Sequence, residues 1–67
     1  MRYYVNKNAQ SNGDHEVHDS GCSFLPDPNN RIYLGDYSSC HGAVRKAKEY
    51  YSKADGCYYC CNDCHTS

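Results

Sequence analysis

Hydrophobic positions are sparse along this chain, and their spacing changes from strand-like to helix-like near the middle. Tyr3 and Val5 share one face of a short strand over Tyr3–Asn6. The polar segment Lys7–Asp14 follows and holds Asn12-Gly13, a strong turn dipeptide. His15-Glu16-Val17-His18 then reads as the return strand, with Val17 toward the core. The pair predicts a β-hairpin whose loop exceeds the two-residue ideal. Gly21-Cys22 ends it, and Phe24-Leu25 forms an apolar plug. Pro26-Asp27-Pro28-Asn29-Asn30 can only be loop, and Arg31-Ile32-Tyr33-Leu34 is a third short strand closed by Gly35-Asp36.

From Cys40 the period becomes helical. Cys40, Ala43, Val44, Ala47, Tyr51 and Ala54 recur at spacings of three and four, which places them on one face of a helix. Arg45, Lys46, Lys48, Glu49, Ser52 and Lys53 take the other face. Ser38 or Ser39 offers an N-cap hydroxyl, Lys53 complements the negative end of the helix, and Gly56 suits a left-handed C-cap. The predicted architecture is a single α+β domain over residues 1–67, with a hairpin, a third strand and one amphipathic helix.

Composition changes that picture in one respect. Three Val, two Leu, one Ile and one Phe are the only strongly apolar residues among 67, about a tenth of the chain. Chains below roughly 20% are ordinarily disordered, and a domain this short is hard to stabilise even with a full core. A self-sufficient hydrophobic core is therefore excluded. Six Cys and eight Tyr are the compensating enrichments, so the cysteines must act as staples.

Disulfides and a metal are the two possible staples, and compartment separates them. Met1-Arg2-Tyr3-Tyr4-Val5-Asn6-Lys7 has no apolar stretch of signal-peptide length, and no run is long enough to span a membrane. A cytoplasmic location with reduced thiols is the expectation, and it favours metal over the alternative of an exported, disulfide-stapled chain.

The candidate ligands fall in two clusters. His15, His18 and Cys22 form the first, where His18 and Cys22 make an H-x3-C pair at a strand-to-loop junction. The second holds two successive C-x2-C pairs, Cys57/Cys60 and Cys61/Cys64. A C-x2-C turn lets two thiolates converge on one Zn²⁺. One pair from each cluster completes a tetrahedron and ties the hairpin to the end of the helix. His15 reads as an exposed strand residue and His41 as a first-turn surface residue. Cys40 lies on the apolar helix face, where a free thiol packs as a small hydrophobe.

At this point the spacing resembles a known family. H-x3-C-x2-L, a Pro/Asn loop, an apolar strand, then S-S-x3-A-V before C-x2-C, is similar to the zinc-binding domain of the Ada DNA-repair protein. Related modules are appended to some bacterial nucleases. The matching residues are His18, Cys22, Leu25, Ser38, Ser39, Ala43, Val44, Cys57 and Cys60, over about residues 15–61. The resemblance implies a compact α+β zinc fold with His18, Cys22, Cys57 and Cys60 as ligands. Cys40, Cys61, Cys64 and His65 lie outside the pattern, and the helix runs longer before its C-x2-C. His18 stands where the Ada domain has its methyl-accepting Cys.

Other readings of the same residues follow different chemistry. Cys40, Cys61, Cys64 and His65 could form a labile second site, making the chain a thiol-rich metal carrier or sensor. Cys61-Asn62-Asp63-Cys64-His65 is a C-x2-C-H haem-attachment string, but its covalent haem would need export and an apolar pocket. Cys57-Tyr58-Tyr59-Cys60 could be a redox pair, although such thiols are ordinarily activated at the start of a helix, not beyond its end.

The tyrosines occur as Tyr3/Tyr4, Tyr50/Tyr51 and Tyr58/Tyr59, joined by Tyr33 and Tyr37. With so few aliphatics, half of these rings are expected in the core and one of each pair outside. Outward rings beside Arg45, Lys46, Lys48 and Lys53 could stack bases and hold phosphates, giving nucleic acid as a partner, with another protein as the alternative. A net charge of −1 neither demands nor forbids a polyanion. No nucleophile–base–acid set, phosphate loop or carboxylate pair is visible. The expected function is therefore a monomeric structural-zinc binding module, not an enzyme.

Overall fold

Strand β1 (Arg2–Asn6) buries Tyr3 and Val5 on one face, the alternation its sequence dictates. The computed structural model describes residues 1–66 and pairs β1 antiparallel with β2 (His15–Asp19) on one side and β3 (Arg31–Asp36) on the other. The predicted hairpin and third strand are therefore present. Gly13 takes a φ of +90°, and the Asn12 side chain accepts the Asp14 N–H, so the Asn-Gly dipeptide makes the turn. The plane of β3 is interrupted opposite Tyr3/Tyr4, where Gly35 adopts a φ of +125° and the register shifts by one residue. That shift turns Leu34 into the core and leaves Tyr33 outside against Tyr4.

The helix is shorter than its apolar period suggests. Helix α1 spans Cys40–Ala47, and the chain then turns back. Ala54–Gly56 forms a fourth strand, β4, parallel to β2, giving a sheet of order β3-β1-β2-β4. The expectation of a helix reaching Ala54 is thus corrected. Tyr51, its last apolar position but one, instead stacks on His15 at 3.7 Å, and His15 is half-buried where an exposed residue was expected. Backbone bonds to the edge of β2 outweigh two more helical turns, because a strand edge left unpaired would bury unsatisfied groups.

Gly56 is not a left-handed cap. Its φ is not positive, and a Cβ placed there would lie 2.6 Å from the Cys61 carbonyl oxygen and 2.8 Å from Cys64 Cβ. The glycine is needed for close approach of the C-terminal segment. Gly56→Ala should therefore cost about 1–3 kcal/mol, the range for overpacking. Denaturant unfolding of the two proteins measures this, and equal midpoints would show that the segment moves freely.

The core lies between α1 and one face of the sheet. It joins Tyr3, Val5, Val17, Leu34, Ala43, Ala47 and Ala54 with Cys40, Cys61 and Cys64. Phe24, expected as a plug, is 55% exposed and stacks on Tyr59 with ring centroids 4.6 Å apart. Of the eight tyrosines only Tyr3 is fully buried, while Tyr4, Tyr37 and Tyr51 are half-buried. Tyr58 and Tyr59 are both exposed, so the expected inward–outward alternation fails in that pair. The Ser39 hydroxyl makes no capping bond to the helix start, although Ser39 occupies the N-cap position.

Candidate metal centre

Register across the hairpin decides where His18 points. Val5 faces Val17 and Tyr4 faces His18, and directly opposed residues share a sheet face. Val17 therefore enters the core under α1, while His18 lies on the opposite face of the sheet and is nonetheless 1% exposed. Two turns cover it. One carries Cys22, whose N–H donates to the Asp19 carbonyl at 3.2 Å. The other is Cys57-Tyr58-Tyr59-Cys60, closed by the Cys61 N–H on the Cys57 carbonyl at 2.9 Å. The second turn is delivered by β4: the Cys57 N–H continues the parallel pairing by donating to the Val17 carbonyl at 2.9 Å. Continuing that register places Cys57 beside His18.

The result is a four-ligand cluster. His18 Nδ1 and the sulfurs of Cys22, Cys57 and Cys60 all lie within 4.8 Å of one another. His18 Nδ1 is 3.5 Å from Cys22 Sγ and 3.9 Å from Cys60 Sγ, and Cys22 and Cys57 are 4.0 Å apart. A tetrahedron with metal–sulfur bonds of about 2.3 Å has edges of about 3.8 Å. The donor set and its edges fit a tetrahedral ion, and these residues can hold a metal.

Burial sets what an ion at this site would have to compensate. Burial pushes the Cys60 thiol far up, and a bond with Cys22 adds to it, while the Asp19 N–H on Cys60 Sγ at 3.4 Å opposes it. Burial likewise lowers the His18 pKa, so the imidazole is neutral and able to ligate. Buried thiolates require a cation beside them, which a divalent ion would supply. When Nδ1 ligates, Nε2 carries the ring proton; it has no hydrogen-bond partner among the described residues, with Glu16 Oε1 at 3.8 Å. The stacked Phe24 and Tyr59 rings join the two ligand-bearing turns on the outside.

No family model, curated protein or solved structure matches the chain.

The remaining cysteines do not gather with His65 as a second site. Cys40 is bonded to Cys64, correcting the expectation of a free thiol packed under the helix. Cys61 is buried, 3.9 Å from Cys60 Sγ, and burial raises its pKa to about 11. His65 Nδ1 lies 3.0 Å from the Gly56 carbonyl and 3.3 Å from Asp55 Oδ2, while Thr66 donates to the same carboxylate. These contacts anchor the C-terminal segment. A cluster able to hold a metal thus occurs together with a disulfide, where the sequence suggested one or the other. Thiol counting on denatured, chelated but unreduced protein should find four thiols, with two more after reduction. Six at the outset would remove the disulfide, and none would mean three disulfides.

The four cations expected on one face are separated. Lys46 pairs with Glu49 at 3.0 Å, and Lys53 lies beyond the helix with its Nζ on the Asn12 carbonyl at 2.8 Å. Arg45 and Lys48 are exposed and make no ion pair among the described residues. His41 is exposed in the first helical turn, as expected, but it also lies within ligand distance of Cys40 and Cys64. Spacing along the chain carries no sign of that grouping, because its two cysteines are 24 residues apart. No helix among the described residues is long and apolar enough to cross a membrane.

Proposed function

We propose that the chain is a structural-zinc module that binds a partner and does not catalyse a reaction, its zinc held by His18, Cys22, Cys57 and Cys60. The observation that carries this reading is the convergence of one imidazole nitrogen and three sulfurs from two distant parts of the chain. Three thiolates and one imidazole are a donor set that zinc favours. Four protein ligands leave no open coordination position, which is the arrangement of a structural rather than a catalytic site. The Ada-type resemblance supports the same four residues, and His18 at the position of that family's acceptor cysteine argues against alkyl transfer: an imidazole lacks the thiolate that takes the methyl group. When bound, zinc supplies charge compensation and a cross-link; the residues themselves orient the turns and exclude water.

Elemental analysis of protein purified without chelator should find one zinc per chain. Cobalt substitution should give the intense visible absorption of a tetrahedral thiolate site. A metal-free folded protein, or a weak octahedral spectrum, would overturn the proposal.

A further inference from the structure

The Cys40–Cys64 pair has a neighbour that a simple cross-link does not need. His41 places a ring nitrogen within 4.8 Å of both sulfurs, on an exposed side chain whose Nδ1 is 3.5 Å from the Ser39 hydroxyl. The two cysteines are buried, and their Cα atoms are 6.3 Å apart, so two separated sulfurs can share one ion without moving the backbone far. An open groove of about 400 Å³, lined by Ser38, Ser39, Cys40, Asn62 and Asp63 but not by His41 or Cys64, reaches the Cys40 side of the pair. It provides a path by which an ion can reach Cys40. Cys40 is also the first residue of α1, where the positive end of the helix favours an anionic sulfur.

We propose that Cys40, His41 and Cys64 form a second metal site, closed while the disulfide is intact and opened by reduction. A dithiol reductant transfers two electrons and two protons to the Cys40–Cys64 bond and is itself oxidised to a disulfide. Each freed thiol then releases a proton to solvent as its sulfur binds the ion. Two thiolates and an imidazole select a borderline or soft cation such as Zn²⁺. The exchange need not unfold the protein. His18, Cys22, Cys57 and Cys60 hold the other end of the C-terminal segment, and the incoming ion restores the tie between α1 and the turn at Asn62–Cys64. The site differs from the labile site suggested by sequence, in which Cys61 and His65 would take part.

The test reads the increment in metal on reduction, which separates it from the zinc assignment at His18. A tertiary phosphine is the reductant, because it does not compete for zinc; it is oxidised to its oxide, with water supplying the oxygen and the protons. After equilibration with excess Zn²⁺ and gel filtration, unreduced protein should retain one zinc and reduced protein two. The reduced Cys40→Ser protein should stay at one. Replacing the exposed His41 by Ala leaves the core untouched and should weaken only the second zinc, by about tenfold or more, since even outer-shell losses have that effect. One zinc in protein whose six thiols are all counted as reduced would overturn the proposal, as would a second zinc that binds before reduction or survives Cys40→Ser. Absence of zinc from the unreduced protein would count against the His18 centre instead, leaving the increment readable.

Discussion

Excess chelator should unfold the protein even with its disulfide intact. A structural zinc contributes about 10 kcal/mol or more of apparent folding free energy. The Cys40–Cys64 bond closes a segment with a sequence separation of 24 and contributes about 3–4 kcal/mol on the chain-entropy account. A zinc held there would thus be the larger staple by a wide margin, and a core in which Val5, Val17 and Leu34 are the buried aliphatics beyond alanine cannot take its place. Circular dichroism and dispersion of amide resonances should both collapse on chelation and return with added zinc. Reduction alone should lower stability without unfolding the chain. Full native signals in chelator, or collapse on reduction with the zinc still bound, would reverse the order of the two staples.

The second large effect is a contrast between two cysteines of equal burial. Cys57 and Cys61 are each 2% exposed, so deleting either sulfur leaves a similar gap. Only Cys57 belongs to the four-ligand cluster. Cys57→Ala should abolish zinc binding and with it the folded state. Cys61→Ala should keep one zinc per chain and cost about 1–2 kcal/mol, the scale of a small core truncation. Zinc content and denaturant midpoint decide the matter together. Equal loss of metal in both variants would place Cys61 among the ligands and displace Cys60.

What the sequence determined by itself was local. Alternation at Tyr3 and Val5, the Asn12-Gly13 turn and the Val17 strand define the hairpin, since each needs only neighbours a few residues away. H-x3-C and C-x2-C are turn-sized motifs, and each presents two ligands to one side whatever the rest of the chain does. Spacing alone leaves open which C-x2-C pair takes part; the Ada-type resemblance implies His18, Cys22, Cys57 and Cys60, and these four lie together. The start of α1 follows from its period, but its end does not. Tyr51 and Ala54 continue the spacing of three and four, and only the free edge of β2 draws Ala54–Gly56 into the sheet. That parallel pairing joins residues about 40 positions apart, and it carries Cys57 to His18. The tertiary structure also decided the fate of the surplus ligands. Cys40 meets Cys64 because α1 packs over the last turn, and Lys53 leaves the basic face because its ammonium reaches the hairpin loop. Each of these outcomes turns on a contact between distant segments, whose energy is set by which edges and faces remain uncovered after the local elements have formed, and spacing along the chain carries no record of that.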